Sequence, residues 1–339
     1  MMAKSCSHAR TKKRFITLLL AAALLAALAG CHRTDLHQTL RSNFTAPQGS
    51  PILLAAYQPW FGRGNHINVG YSSQDAVVIQ RQIDDARNLG IRGFVVNWYG
   101  PRKEFEDRAY LQVQRTAAQS GFQTAIMYDE DVDDPGQSTD KVIADLQYSY
   151  EHYIGPQADA SRAAYLRYNG KPVIFIFPKG GGTDWNRVRQ LVNSWDDPPL
   201  LIYKDIDPRY LNAFDGFYAW VQPGSGGWAA DGSNWGRDYL DAFYNRMSAK
   251  YPDKIAVGAA WPGFDDSRAS WSRNRRMSAR CGHTLEESLR TFRRYYSERN
   301  PLPFLMIVTW YDYEEGTAIE QGLAHCGSDN GAGAIQASR

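Results

Sequence analysis

Residues 304–310 read FLMIVTW, an apolar run in which hydrophobic residues do not alternate with polar ones. A strand of this kind is covered on both faces, as in a parallel sheet. Similar short runs precede it at residues 52–57, 93–97, 123–128, 172–177, 200–204, 215–220 and 255–260. Longer helix-like segments separate them, at residues 75–89, 140–153, 183–193, 235–250 and 284–299. Eight strands alternating with helices predict a single (β/α)8 TIM-type barrel over residues 50–339, rather than an open doubly wound sheet.

Two helix ends are marked by their residues. Gly90 is a stop after the first helical segment, and Thr284, with Glu287 three residues later, has the pattern of a capping box. No glycine-rich fingerprint follows the first strand, which argues against a dinucleotide site. We therefore expect no cofactor.

The N-terminus has the pattern of an export signal. Five basic residues lie before position 15, and an uncharged run rich in Leu and Ala follows at residues 15–30. This run is shorter than the roughly 20 apolar residues of a membrane-spanning helix. The tetrapeptide LAGC at residues 28–31 matches a lipobox, in which Cys31 is lipidated and becomes the new N-terminus.

The segment after Cys31 bears on the destination of the protein. Residue 32 is His rather than Asp, so the inner-membrane retention signal of many lipoproteins is missing. We expect residues 1–30 to be a lipoprotein signal peptide and residues 31–49 a tether. The lipid would anchor the protein to a membrane, most simply the outer membrane, on its periplasmic or cell-surface face. The alternative is an ordinary signal peptide with a chance Cys at its end.

Charge and cysteine content narrow the function classes. The chain has 38 basic and 36 acidic residues, and five of the basic ones leave with the signal, so no basic stripe indicates a nucleic-acid partner. After Cys31, only Cys281 and Cys326 remain; they are a possible disulfide, with two unlinked thiols as the alternative. The seven His show no ligand spacing, so we expect no metal. We expect a monomer.

The predicted strand ends are rich in aromatic and polar residues. Active-site side chains of a β/α barrel lie where strands run into the following loops. A single aromatic residue there is more often packing, but Trp or Tyr beside Asp, Asn, Gln or Glu recurs at several strand ends. Aromatic rings support the apolar faces of sugars, while carboxylates and amides bind hydroxyls. The predicted substrate-binding residues are Tyr57, Trp60, His66, Tyr71, Asn97, Trp98, Tyr128, Glu130, Trp220, Trp261 and Asp265.

Three acids follow the last strand within four residues: Asp312, Glu314 and Glu315. Glycosidic bond cleavage generally needs one carboxylic acid to protonate the leaving oxygen and one carboxylate to activate a nucleophile. Crowded carboxylates also push their pKa values apart. A solvated acidic turn is the alternative, but the apolar strand before it and the aromatic neighbours favour a catalytic pair.

Four blocks of sequence resemble glycoside hydrolase family 99, the endo-α-mannosidases. YQPWFG at residues 57–62, His66 and GYSSQD at residues 70–75 are similar to the family's Tyr-x-Pro-Trp-Tyr-Gly stretch, its His and its Tyr-Ser-Ser-x-Asp turn. GIRGFVVNWYG at residues 90–100 resembles its second strand, and PGFDDSR at residues 262–268 its Pro-Gly-Tyr-Asp-Asp loop. TWYDYEEGTAIE at residues 309–320 resembles its Phe-Asn-Glu-Trp-x-Glu-Gly-Thr-x-Ile-Glu segment. The blocks occur in the family's order over nearly the whole mature chain.

The resemblance implies roles for two carboxylates. Asp312 stands at the family's first catalytic Glu, which deprotonates the sugar 2-hydroxyl to form a 1,2-anhydro intermediate with retention. Glu315 stands at the second, which protonates the leaving oxygen and later activates water. An Asp arm is about 1 Å shorter, a displacement that costs on the order of 10²-fold if the substrate does not follow it.

The same segment is also similar to the Trp-Asn-Asp-Tyr-x-Glu pattern of family 71 α-1,3-glucanases, which are regarded as inverting. The stereochemical outcome therefore stays open, because it depends on the separation of the carboxylates. Arg268 and Arg280 either pair with these acids or bind a charged glycan.

The predicted function is hydrolysis, by endo action, of an α-linked mannan- or glucan-type polysaccharide, with Glu315 as acid/base and Asp312 as partner base. The main alternative is a lipoprotein that binds polysaccharide without cleaving it, in surface glycan assembly or export; the Asp at the first catalytic position keeps it open. A deacetylase or esterase is disfavoured, since the chain lacks a Gly-x-Ser-x-Gly nucleophile elbow.

Overall fold

The chain folds into a closed barrel of eight parallel strands. The computed structural model describes residues 51–130, 138–179, 182–222, 235–295 and 302–322, together with Leu40. The barrel strands are β1 Ile52–Tyr57, β2 Gly93–Trp98, β3 Gln123–Asp129, β4 Lys171–Phe177, β5 Leu200–Lys204, β6 Gly216–Tyr218, β7 Ile255–Ala260 and β8 Phe304–Ile307. Each strand pairs in parallel with the next, and β8 pairs with β1 to close the barrel. The predicted (β/α)8 fold is confirmed.

Six α-helices surround the barrel in the described part of the chain. They are α1 Ala76–Asn88, α2 Glu104–Ser120, α3 Ser138–Ser149, α4 Trp185–Val192, α5 Arg237–Lys250 and α6 His283–Tyr295. A π-helical turn, Tyr150–Ile154, continues α3, and a 3-10 turn, Pro208–Tyr210, stands between β5 and β6 in place of a helix. A short strand, Arg167–Tyr168, pairs antiparallel with β4.

The last strand is shorter than the sequence predicts. It ends at Ile307 rather than Trp310, although the following residues stay between β7 and β1. The N–H of Val308 donates to Ala260 O at 2.8 Å, and the N–H of Trp310 donates to Ala56 O at 2.7 Å. In a regular strand the N–H groups of these two residues, two apart in the chain, would point to the same neighbouring strand. Here they point to opposite neighbours, so the regular ladder ends before Trp310. The Val308–Thr309 peptide bond in this segment is cis.

Of the two predicted helix ends, one is confirmed and one is wrong. Gly90 has φ 86° and directly follows the C-cap of α1, as a helix stop requires. Helix α6 begins one residue before Thr284, whose hydroxyl donates to the carbonyl of Ser278 at 2.7 Å. Glu287 forms an ion pair with Arg280 at 2.7 Å. A 3-10 turn runs directly into the helix, so there is no separate first turn for a capping box to close.

Close packing between β7 and α6 depends on a glycine. A Cβ at Gly258 would lie 2.3 Å from the Phe292 ring of α6 and 2.7 Å from the Tyr244 hydroxyl of α5. Any larger residue at this position would push two helices away from the barrel. The helix layer is therefore seated directly on the strand that precedes the PGFDDSR loop.

Several predictions fall on residues outside the described ranges: the signal at residues 1–30, the lipidated Cys31, the tether up to residue 49, and Cys326. Within the described ranges, no helix combines the length and the apolar character needed to cross a membrane. Cys281 is disulfide-bonded. Its pairing with Cys326 stays a prediction.

Candidate active site

A cavity of about 690 Å³ opens at the C-terminal ends of the barrel strands. Residues at or after the ends of all eight strands border it, including Asp312 and Glu315 after β8. A second cavity, of about 510 Å³, lies at the opposite end of the barrel, near Lys171, Leu200 and Ile255 at the starts of three strands. Because TIM-barrel chemistry takes place at the C-terminal face, and because both predicted catalytic carboxylates lie there, the first cavity is the candidate active site.

The turn after β8 holds Asp312 rigidly. The side chain is 3% exposed, and its Oδ1 accepts the backbone N–H groups of Glu314 at 3.0 Å and Glu315 at 2.9 Å. The N–H of Asp312 itself donates to Thr309 Oγ1 at 2.9 Å. One carboxylate oxygen is thus used for the turn, which orients the carboxyl group toward a fixed direction in the cavity.

Glu315 is bound to an aromatic side chain at the cavity mouth. Trp271 Nε1 donates to Glu315 Oε1 at 3.0 Å, and the Trp271 side chain is 41% exposed. An exposed indole of this size is unusual in the described part of the chain, where only Val77 is a comparably exposed large hydrophobic residue. Its free face is available for the apolar side of a sugar ring.

The two carboxyl groups hold protons more tightly than isolated acids do. Burial raises the pKa of Asp312 well above its usual range, and the negative charge of Glu315 adds to this effect. Burial also raises the pKa of Glu315, against the hydrogen bond from Trp271 and the positive charges of Arg275 and Lys204. The two carboxyl groups therefore titrate together. The state with one protonated and one ionised carboxyl group persists to a higher pH than it would for two isolated carboxyl groups.

The third acid of the segment has a different position. Glu314 Oε2 lies 2.8 Å from His66 Nδ1, and its Oε1 accepts the N–H of Ile67 at 3.1 Å. Glu314 does not line the cavity, and it joins the loop after β1 to the loop after β8. His66 stacks on Trp60, with ring centroids 5.1 Å apart and planes 6° apart, and Trp271 meets both rings edge-on. We call Trp60, His66 and Trp271 the aromatic wall.

A second pair of rings also borders the cavity. Phe177, at the end of β4, packs edge-to-face against Trp220 after β6, with centroids 5.4 Å apart. Two separate aromatic surfaces at one cavity suit a ligand with several rings, such as an oligosaccharide.

Polar atoms of cavity-lining residues have unused hydrogen-bonding capacity. Asn97 Nδ2 donates to Asp129 Oδ2 at 3.1 Å, but Asn97 Oδ1 has no partner. Within the described residues the same holds for Gln58 Oε1, Trp60 Nε1 and Glu106 Oε2. Buried polar atoms without partners cost free energy, so the site is suited to a ligand rich in hydroxyl groups.

Four of the predicted substrate-binding residues border the cavity with the catalytic pair. They are Trp60, His66, Asn97 and Trp220. The other seven lie outside its lining.

Three of those seven face the helix layer. The hydroxyl of Tyr57 donates to Gln82 of α1 at 2.8 Å, Trp98 Nε1 donates to a carboxylate of α2 at 2.9 Å, and the hydroxyl of Tyr128 donates to a carboxylate of α3 at 2.9 Å. Side chains on a barrel strand alternate between the interior and the helices. Next to each of these aromatic residues in the chain, Gln58, Asn97 or Asp129 borders the cavity instead. The positions of the three aromatic residues therefore do not support substrate contacts.

The remaining four stabilise loops around the site. Tyr71 donates to a carboxylate in the segment after β8, and Trp261 Nε1 donates to a backbone carbonyl at 3.0 Å. Asp265 caps a 3-10 turn, and Glu130, 1% exposed, accepts the N–H of Lys179 at 3.0 Å. Their hydrogen bonds are internal, and their positions do not support direct contacts with a substrate.

The sequence prediction missed most of the charged lining. Arg63, Lys103, Glu106, Lys179, Lys204, Arg273 and Arg275 border the cavity, as do Tyr99, Phe177, Gln222 and Trp271. The one sequence signal that could have indicated Lys179 and Lys204 as cavity residues is their location at or just after the end of a strand. Arg280 forms the ion pair with Glu287 described above, and neither it nor the exposed Arg268 lines the cavity. No cluster of three potential metal ligands occurs among the residues described.

Comparisons with known proteins connect this barrel to solved glycoside hydrolases. Two structures of the family 99 endo-α-mannosidase of Bacteroides thetaiotaomicron, one in complex with bis-tris propane, are similar to it. They have TM-scores of 0.56 and 0.57 and sequence identities of 18% and 17%, and the match covers 79% of this chain and 86–87% of theirs. A glycoside hydrolase-like protein matches with a TM-score of 0.55 and 14% identity, over 83% of this chain and 91% of its own. No family model and no curated protein matches the chain.

At these identities the comparisons establish the fold. The similarity to the family 99 fold that the sequence blocks predict is confirmed at this level, and the resemblance to family 71 stays a prediction.

Proposed function

We propose that the protein is a glycoside hydrolase that cleaves an α-linked mannan- or glucan-type polysaccharide internally. The observation that carries the proposal is the Asp312–Glu315 pair, two carboxyl groups with raised pKa values in a cavity between two aromatic surfaces. The fold shared with an endo-α-mannosidase supports the α-linkage and the endo action.

Glu315 acts as the general acid toward the leaving oxygen and then as the base toward water. It is the carboxyl group nearer the open side of the cavity, bound by Trp271, and its raised pKa favours the protonated form required for the first step. Asp312 removes a proton from a sugar 2-hydroxyl or from a water molecule. Burial and the charge of Glu315 raise its pKa, against the hydrogen bonds from two backbone N–H groups, and a raised pKa makes its carboxylate a stronger base.

The test is release of reducing ends from α-mannan and from α-1,3-glucan by the purified protein. We expect Glu315→Gln and Asp312→Asn each to lower kcat/KM by about 10²-fold or more, since each removes one acid/base group. Glu286→Gln, on the outer face of α6, is the matched control and keeps wild-type activity.

Full activity of Glu315→Gln on a substrate that the wild type cleaves would disprove its role. Binding to these glycans without release of reducing ends, with equal affinity in Asp312→Ala, would instead support the polysaccharide-binding alternative.

We also propose export and lipid anchoring through Cys31, on the strength of the LAGC lipobox. Growth with an alkyne-tagged fatty acid should label the wild-type protein and leave Cys31→Ser unlabelled. Equal labelling of both proteins, or of neither, would contradict the anchor.

A further inference from the structure

The described residues that border the cavity carry more positive than negative charge. Their acidic members are Glu106, Asp129, Asp312 and Glu315. Their basic members, from five different strand ends, are Arg63, Lys103, Lys179, Lys204, Arg273 and Arg275. A neutral mannan or glucan does not require such a lining.

Part of this positive charge is compensated by acids of the protein. Arg63 forms an ion pair with Glu106, Lys179 Nζ lies 3.1 Å from Asp129 Oδ1, and Arg275 Nε lies 2.7 Å from a carboxylate oxygen of the buried Asp266. These pairs hold the loops together, and they do not explain the remaining cations.

Lys204, at the end of β5, has no direct ion-pair partner among the described residues. Within the described residues its Nζ takes part in no ion pair and no hydrogen bond, and it lies 3.9 Å from the centroid of the Phe177 ring. The charges of Asp205, Asp129 and Glu315 act on Lys204 without a direct ion pair, and the Asp205 carboxylate accepts from the Tyr239 hydroxyl and from Gln222 Nε2, the latter at 3.0 Å. An ammonium group that is largely buried without a carboxylate partner costs free energy.

Lys179 lies beside the same ring. Its Nζ is 5.3 Å from the Phe177 centroid. Burial, and to a smaller extent the positive charge of Lys179, lower the pKa of Lys204 against the charges of Asp205 and Asp129. Two ammonium groups thus lie on one aromatic ring with one carboxylate, Asp129, in direct contact with Lys179, so this side of the cavity carries net positive charge. We call Lys179, Lys204 and Phe177 the lysine pocket.

A third cation lies at the rim beyond the aromatic wall. Arg273 is exposed, and only its backbone N–H is engaged, with Asp266 at 3.1 Å. Its guanidinium has no ion pair or hydrogen bond among the described residues, although it borders the cavity. A ligand that reaches from the lysine pocket toward Trp271 therefore meets positive charge at both ends.

We propose that the substrate is an anionic glycan, with a carboxylate or phosphate group bound by Lys204 and Lys179 near the scissile bond. This inference rests on the proposed hydrolase function and names its substrate class. The anion supplies the direct ion pair that Lys204 lacks, and a neutral glycan of the same linkage would leave this ammonium group desolvated without one. Both carboxylates and phosphates fit an ammonium point charge, so the probes must distinguish them.

Binding is measured in the full-length Glu315→Gln protein, so that no probe is consumed. Isothermal titration calorimetry compares phosphorylated mannan with the same mannan after dephosphorylation, and a glucuronate-containing α-linked oligosaccharide with its carboxyl-reduced form. We expect at least one anionic probe to bind about tenfold or more tightly than its neutral partner. The pair that shows the difference identifies the acid group.

The variants test the lysine pocket itself. Adding Lys204→Gln should remove most of the preference for the anionic probe, whereas Lys204→Arg should retain much of it. Lys171→Gln, at the opposite end of the barrel, is the matched control and should retain all of it. If the melting temperature shows that Lys204→Gln does not fold, Lys179→Gln replaces it.

The outcomes separate this inference from the proposed function. Equal affinity for anionic and neutral probes, or no binding of either anionic probe, overturns the inference. So does a Lys204→Gln protein that keeps the full preference for the anionic probe. If the Glu315→Gln protein prefers the anionic probe but the wild-type protein cleaves none of the probes, the hydrolase function is contradicted and the inference about the anionic ligand stands.

Discussion

Replacing Trp271 by Phe removes one N–H group from the candidate site and leaves an aromatic ring in place. In the wild type this N–H donates to Glu315 Oε1 at 3.0 Å and lowers the pKa of Glu315, against the effect of burial. The bond stabilises the ionised form of the carboxylate. Without it the proton is held more tightly, so the pKa of Glu315 rises.

The size of the shift follows from the geometry. A hydrogen bond to a charged group contributes roughly 1.5–3 kcal/mol when it is buried. Because Trp271 is 41% exposed, solvent competes for the bond, and about 1 kcal/mol is a better estimate. An energy of about 1 kcal/mol is roughly a fivefold change in an equilibrium constant, so the acid dissociation constant of Glu315 should fall about fivefold in the variant.

The assay is the pH dependence of kcat/KM on a glycan that the wild type cleaves. Its alkaline limb reports ionisation of the general acid, and it should move to higher pH in the Trp271→Phe variant. Trp195→Phe is the matched control, because its indole stacks on Tyr150 and its Nε1 has no partner in the described structure. An alkaline limb that stays in place, or moves to lower pH, would refute the assignment of Glu315 as the acid held by Trp271.

Other predictions concern stability and binding. Asp312→Asn should raise the melting temperature at pH 7 by about 2 °C or more. The pKa of Asp312 is raised in the folded protein, so the folded state loses stability as the pH rises above the pKa of this group in the unfolded chain. The gain should therefore vanish below about pH 4. Asp159→Asn should have the opposite sign, since the ion pair with an arginine lowers the pKa of Asp159, and its deficit at pH 7 should shrink as the pH falls; equal signs in these two melts would contradict the argument. Gly258→Ala should lower the free energy of unfolding in urea by about 2 kcal/mol or more, because the added Cβ would overlap the Phe292 ring of α6. The control Gly64→Ala, whose Cβ would have nothing within 4 Å, should be nearly neutral. Similar losses in the two variants would refute the close contact. Trp220→Ala should weaken oligosaccharide binding by roughly tenfold in calorimetry, and unchanged affinity would remove it from the site.

The segment after β8 shows how far sequence reasoning reaches toward the site. Asp312 and Glu315 are three residues apart, so one tight turn is enough to bring both to the same strand end. Local chain geometry alone therefore predicts that they share a cavity, and the structure places both at its wall. The same reasoning could not separate Glu314 from them, because the side chain's direction depends on His66, 248 residues away in the chain.

The aromatic strand ends show the opposite case. The sequence marks Trp98 and Tyr128 as prominently as Trp60 and Trp220, but the first two face the helices. Which of two adjacent residues faces the interior depends on the rotation of each strand about its axis. That rotation is set by how all eight strands close the barrel.

The sequence by itself determined the barrel and the end at which the candidate site lies, because strand and helix periodicity are local properties and the carboxylate pair lies within one turn. Tertiary structure alone decided which side chains line the cavity. Lys179, Lys204 and Arg273 follow different strands, and nothing in their local sequence relates them. They border one cavity because closure of the barrel brings all its strand ends to one rim, where the excess of basic over acidic side chains becomes a property of the site.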